Sequence, residues 1–233
     1  VLHSAYAKDV FHRQGVAAES LEVVHNGYWP RLFEPRLSKA EARAKLGLDP
    51  DRPLVLYAGR VSPKKGLGLV LDAAAAMPEV DFAFVGSEGQ GEIEERAAAM
   101  DNVRIVGWTS FDELPPYLFA ADILLIPPSL GPLKGVGNTV LPMKLFLYLA
   151  ADRPLLAPRA PDTAEILRHD ENAWLVEPDD IQSTVDGIRA LLDNPERMTR
   201  LAANAAELAS GLTWEARADK VLGFIERRLA AKG

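Results

Sequence analysis

LVLYAGRVSPKKGLGLVLDAAAAMPEVDFAFVG, residues 54–86, reads as strand, loop, helix and strand in succession. Leu54 to Ala58 is an unbroken apolar run closed by Gly59. That is the pattern of a parallel strand covered by helices on both faces, because neither face needs polar residues for water. The chain then turns cationic, with Arg60, Lys64 and Lys65 beside Ser62, Pro63 and Gly66. Leu67, Val70, Leu71 and Ala74 follow at helical spacing, and Asp81 to Gly86 restores a strand, which closes a βαβ unit. Ligands of open α/β sheets bind at the carboxyl ends of the strands. Cations on a tight loop at that edge therefore point to an anion, above all a phosphate.

The alternation extends downstream. Further strand candidates are 102–107, 122–127, 154–158 and 173–178, separated by helical patterns at 91–100, 114–120, 142–151 and 163–169. Such a sequence implies a parallel sheet wrapped on both faces, a Rossmann-like α/β fold. Pro115-Pro116 would break a helix, so that one is expected to begin there. After Asp179 only helices are expected: Ile181 to Leu192, Glu196 to Ala209, and Trp214 to Leu229, the last capped by Thr213 with Trp214, Ala218, Val221, Ile225 and Leu229 on one stripe. Upstream, Ser4 caps a helix to Gln14 that places Ala5, Tyr6, Val10 and Phe11 on one face. A short strand and turn at 21–29, an irregular connector at 30–35 and a capped helix from Ser38 to Gly47 complete the order. The stretch Leu145 to Leu149 is apolar on every face, so something must cover that helix. An absent first domain is the simplest cover, ahead of a ligand or an oligomeric partner.

Composition bounds the class. The chain has 233 residues, 48% hydrophobic and 25% charged, with a net charge of -7 and a pI near 5.2. This is globular, and the acidic balance disfavours nucleic acid or an anionic bilayer as the main partner. No cysteine is present, which excludes disulfides, thiolate zinc sites and cysteine nucleophiles. No apolar run approaches the roughly 18 residues of a membrane span. The chain begins at Val1, and VLHSAYAKDVF is neither a signal nor a transit peptide; upstream sequence is expected to exist.

The phosphate-binding motifs that use glycine are missing. The loop is GRVSPKKG, not G-x-G-x-x-G, and GPLKGVGN lacks the ending of a Walker A sequence. Side-chain cations take the place of a glycine cradle. His3, His12, His25 and His169 are scattered without metal-ligand spacing, so no metal site is predicted and each histidine is assigned a structural or solvent role. A second candidate element is GVGNTVLPM, residues 135–143. Gly135 and Gly137 permit close backbone approach, Pro142 suits a first helical turn, and the amides of Asn138, Thr139 and Val140 could meet phosphate oxygens. A loop that merely needs flexible backbone would read the same.

GRVSPKKG with its apolar helix, then NVRIVGW, ADILLIPPS, PMKLFLYLAADRPLLA, a Glu165-bearing loop and NAWLVEPDD, resembles in order the nucleotide-sugar half of a family 4 glycosyltransferase with the GT-B fold. The likeness runs from about Val23 to Leu229. It implies a C-terminal half of a GT-B fold: residues 1–35 as the end of the acceptor-side domain and connector, 36–212 as the donor-binding domain, and 213–233 as a helix returning toward the first domain. It also implies that Arg60 and Lys65 hold the donor's diphosphate and stabilise it as it leaves, which suits fixed cations where negative charge grows. Gly59, Gly86, Trp108, Gly137, Asn138, Thr139, Val140 and Leu147 are the candidate donor contacts. Trp108 either borders the base pocket or packs.

Relatives of this pattern carry a ribose-gripping Glu where Leu147 stands, and a second Glu where Thr139 stands. A charged hydrogen bond contributes about 1.5 to 3 kcal/mol, so its loss could weaken donor binding roughly tenfold to a hundredfold. The resemblance thus implies a retaining glycosyltransferase using a nucleotide-diphosphate sugar, with no further cofactor and an unknown glycan, lipid or small-molecule acceptor. The acceptor domain would be absent, the fragment alone inactive, and the location cytoplasmic, with peripheral membrane contact through that domain as an option. The alternative is a non-catalytic GT-B-like binding or scaffolding domain that has lost the Glu pair. A sugar-phosphate epimerase would need an acid- and His-bearing cleft that the chain does not display.

Overall fold

The six strand candidates from Leu54 onward become strands in the computed structural model, which describes residues 1–131, 141–161 and 163–231. They are β1 Leu54–Ala58, β2 Asp81–Ser87, β3 Val103–Gly107, β4 Ile123–Leu125, β5 Leu155–Pro158 and β6 Trp174–Val176. Each pairs in parallel with its neighbours, in the order β3-β2-β1-β4-β5-β6. β1 is flanked on one side by β2, with Leu54 opposite Asp81, and on the other by β4, with Val55 opposite Ile123. Every residue of β1, β4 and β5 is buried, as strands covered on both faces must be.

Nine helices account for the cover: α1 Ala5–Arg13, α2 Lys39–Leu46, α3 Leu67–Ala75, α4 Glu92–Ala97, α5 Pro115–Ala120, α6 Met143–Ala150, α7 Ile181–Leu192, α8 Pro195–Ser210 and α9 Trp214–Ala230, among the described residues. Alternation along each strand divides the core in two. Leu54, Leu56 and Ala58 pack with α2, α5, α6 and α8, whereas Val55 and Tyr57 pack with α3, α4 and α7. The starts follow local chemistry. Ser4, Ser38, Asp180 and Thr213 each cap a first turn with a side-chain oxygen, Ser38 in a reciprocal capping box with Glu41, and α5 opens at Pro115.

Three expectations change, and two of the expected helices prove largely exposed. The pattern at 163–169 forms only a turn of 3-10 helix, Thr163–Glu165. Asn172 accepts from the Arg168 amide at 2.8 Å and donates to the Ile166 carbonyl at 3.1 Å, taking backbone groups that a longer helix would have used. The segment 21–29 forms no strand but two isolated bridges, Leu2 with Val23 and Tyr28 with Thr213. In α1 the shared face is largely open: Tyr6 and Phe11 are exposed, and Ala7 is the one buried residue of the helix. α9 buries no residue, and Leu222, Ile225 and Leu229 are exposed. Finally, α6 needs no absent domain, ligand or partner to cover it. Leu145, Phe146, Tyr148 and Leu149 are buried in this chain's own core, between the sheet and α8, and Leu147 is partly buried against the same cluster.

Among the described residues no helix is long and apolar enough to cross a membrane.

Candidate functional site

The strand order reverses between β1 and β4, where connections leave in opposite directions and a crevice opens at the carboxyl ends. The loop from Gly59 to Gly66 forms one wall. β1 ends at Gly59, whose φ of 141° suits glycine. A turn at Pro63–Lys65 then leads into Gly66, at φ 75°, and α3. Gly66 is pressed against the strand β4 exit, since a Cβ there would stand 2.6 Å from Ser129 Cβ. Ser129 donates to Asp179 at 2.6 Å and accepts from the Gly131 amide at 3.1 Å. These bonds hold the β4 exit in place where Gly66 packs on it.

Arg60 and Lys65 are both exposed on this loop. Arg60 Nε lies 3.3 Å from Glu88 at the end of β2. Two exposed groups of this kind contribute at most about 1 kcal/mol, so an incoming anion can displace the carboxylate. The Arg60 carbonyl accepts a hydrogen bond from the Tyr57 hydroxyl at 2.9 Å, which fixes the backbone from which the guanidinium projects. Burial pushes the Tyr57 hydroxyl up, so it stays a neutral donor. Lys65 forms no ion pair among the described residues.

Gly86 has a different job from Gly59. A Cβ at 86 would come 2.7 Å from the Gly59 carbonyl oxygen, so it permits β1 and β2 to finish side by side, with the Gly59 amide donating to Val85 at 2.8 Å. Trp108, three-quarters exposed after β3, is not a packing residue. It lines a concavity of about 490 Å³ with Lys45, Leu46, Asp112, Glu113 and Tyr117, and neither Arg60 nor Lys65 reaches it. A second concavity of about 340 Å³ lies between the ends of β2 and β3, lined by Ser87, Glu94 and Ile105. The cations therefore face an open crevice and not an enclosed pocket. Gly137, Asn138, Thr139 and Val140 lie outside the described residues.

A third amine enters from α6 and was not singled out from the sequence. Lys144, partly buried, carries its Nζ 3.7 Å from the centre of the Tyr57 ring. Its signal in the sequence was a lone charge in the apolar run of α6. Burial, and secondly the charge of Lys65, push this ammonium down to about 7. At the same helix end, the Asn26 amide donates to the Met143 sulfur at 3.1 Å. His25 Nε2 donates to Glu165 at 2.7 Å, and Glu165 also accepts from the Ala5 amide at 2.7 Å. Glu165 thus ties His25 and Ala5 to the turn at Thr163–Glu165.

Comparison with known proteins gives the arrangement its family. The sequence pattern described as "Glycosyl transferases group 1" matches residues 38–208. Sulfoquinovosyl transferase SQD2 of Arabidopsis thaliana is 25% identical over 222 residues, covering 94% of this chain and 42% of that protein. D-inositol 3-phosphate glycosyltransferase 1 of Catenulispora acidiphila is 29% identical over 226 residues, covering 89% and 52%. The chain spans about half the length of these curated relatives. Among solved structures, Anabaena Alr3699/HepE in complex with UDP superposes with a TM-score of 0.82 at 20% identity, covering 97% of this chain and 63% of that one. Sucrose-phosphate synthase of Thermosynechococcus elongatus superposes with a TM-score of 0.77 at 24% identity, covering 100% and 59%. The structural likeness shows the shared fold, and the sequence match across most of the sheet shows the kinship: this chain belongs to the group 1 glycosyl transferases.

Proposed function

We propose that this chain is the donor-binding, C-terminal half of a retaining family 4 glycosyltransferase with the GT-B fold. It holds a nucleotide-diphosphate sugar at the crevice between β1 and β4. The observation that carries this is the placement of Arg60 and Lys65 on the loop at the carboxyl end of β1, beside the reversal of strand order. As the bond from the sugar's anomeric carbon to the diphosphate breaks, the electron pair goes to the phosphate oxygen. Fixed cations there stabilise the developing charge without reorganising. In this proposal the two side chains serve in place of a divalent metal.

The relatives' names fit a transferase, and the solved HepE complexes with UDP and with UDP-glucose fit a nucleotide-sugar donor. Residues 36–212 would be the donor domain. Residues 1–35 and 213–233 would be the connector and the returning helix of a larger enzyme whose first domain binds the acceptor. The exposed apolar residues of α1 and α9 sit on those two segments. We place the enzyme in the cytoplasm, with any membrane attachment supplied by the first domain. Gly59 shapes the phosphate loop and Trp108 borders the base.

Calorimetric titration of UDP, GDP and ADP tests the site. Arg60→Ala and Lys65→Ala are each expected to weaken the preferred nucleotide roughly tenfold to a hundredfold. Unchanged affinity in both would reject the assignment. One observation favours a second role, a non-catalytic domain of the same fold: Leu147 is packed against the core cluster where the family pattern has an acid.

A further inference from the structure

Lys144 sits where an anion-binding crevice would use it, yet nothing in the described structure balances its charge. Its Nζ lies 3.7 Å over the Tyr57 ring, a favourable place for a cation. The end of β1 is shaped around it, since a Cβ on residue 59 would stand 2.9 Å from Nζ and 3.0 Å from the Tyr57 hydroxyl. Glycine at 59 therefore makes room for this amine as well as for the turn. The ionisable groups facing it come from three elements. Lys65, on the turn after β1, repels it. Tyr57 on β1 donates its hydroxyl to the Arg60 carbonyl, and Tyr148, further along α6, donates its own to the Ala58 carbonyl at 3.3 Å while accepting from the Ala58 amide at 2.6 Å. Burial pushes both phenols up, so neither supplies a negative charge. Among the described residues no carboxylate pairs with Lys144 or Lys65.

We propose that Lys144 is a third cation of the donor site, contacting the diphosphate together with Arg60 and Lys65, and that donor binding takes up a proton at its Nζ. This rests on the donor-site assignment above. Burial and the neighbouring charge of Lys65 disfavour the charged form of Lys144, and an anion beside it reverses that preference. With its ammonium pushed down to about 7, Lys144 is largely a neutral amine on the alkaline side of neutrality. A diphosphate restores the proton, drawn from the buffer. Donor affinity then carries a pH dependence whose source is the Lys144 amine.

The test uses UDP-glucose, GDP-mannose and ADP-glucose, whose bridged diphosphates have no titrating oxygen near neutrality. Titration calorimetry in HEPES and in Tris separates proton uptake from binding heat. For the unsubstituted chain the expectation is close to one proton taken up per donor at about pH 8, and affinity falling about tenfold from about pH 6 to pH 8. Lys144→Met is expected to bind roughly tenfold more weakly at about pH 6, with no proton uptake and a flat profile. The proton count is read on the unsubstituted chain and does not depend on how well the variant folds. If donor binds, Arg60→Ala and Lys65→Ala weaken it, and the unsubstituted chain takes up no proton, Lys144 is not part of the grip while the donor site stands. If no donor binds, or those two variants change nothing, the site assignment fails and this inference with it.

Discussion

At the amino-terminal edge of the sheet, the Asp122 carboxylate accepts from the Leu54 amide at 2.7 Å, from Arg43 at 2.5 Å and from Lys39 at 2.7 Å. Arg43, with 3% of its side chain exposed, spends its remaining donors on the carbonyls of Asp49, Pro50, Arg52 and Ala120. At the carboxyl edge, Lys65 and Lys144 crowd each other, with no carboxylate bonded to either among the described residues, and Arg60 holds only an exposed partner, Glu88. At one edge Asp122, Arg43 and Lys39 are paired and hydrogen-bonded, joining α2 to β1 and β4. The other keeps Lys65 and Lys144 without a carboxylate among the described residues, and Arg60 with only an exposed one, beside a crevice. The first edge serves stability and the second is the one proposed to bind, because a charge already satisfied within the fold has little left to offer a ligand.

Breaking the paired edge should have the largest effect. Asp122→Ala leaves Arg43 buried with an uncompensated charge and is expected to lower unfolding free energy by about 3 to 5 kcal/mol, read from urea denaturation. The cation variants should behave in the opposite way. Arg60→Ala and Lys65→Ala should move stability by no more than about 0.5 kcal/mol while weakening nucleotide as described above. Equal destabilisation at both edges would erase the contrast.

Lys144 sharpens the comparison through pH. Its ammonium is pushed down to about 7 in the fold, against about 10.4 for an unfolded lysine. Between these values the unfolded chain holds the extra proton, so stability rises with pH through that window, by about 1 to 3 kcal/mol given its partial exposure. Thermal unfolding of Lys144→Met should show this rise flattened, with the variant more stable than the parent near neutrality. The smallest effect belongs to Leu147→Glu, which sets a carboxylate one turn from Lys144 on the same helix face. It should pair with the amine, raise its proton affinity and reduce proton uptake on donor binding by roughly half or more. A gain in nucleotide-sugar affinity would mark a pocket still shaped for donor; a loss of stability alone would favour the non-catalytic role.

Much of this was legible along the chain. Uninterrupted apolar runs such as Leu54 to Ala58 announced buried parallel strands, and the cations after Gly59 were placed at a strand's carboxyl end. The misses share a cause. At 163–169 the helical spacing was real, but Asn172 offered the backbone a competing set of hydrogen bonds from beyond the segment. The apolar faces of α1 and α9 were read only as faces, since periodicity records which side is apolar and not whether anything covers it. α6 erred in the other direction, because α8, remote in sequence, supplied the missing cover.

The sequence by itself determined the alternation of strands and helices, the parallel sheet, the position of the cationic loop and the family, since each rests on local spacing or on residue order. Only the tertiary structure decided that Lys144 belongs beside Lys65. Their chain positions are far apart, and a lysine in an apolar helix gives no sign of which strand end it will meet. The crossover that places β4 next to β1 brings the start of α6 over Tyr57 and Gly59. That approach removes water from the amine and changes its proton affinity.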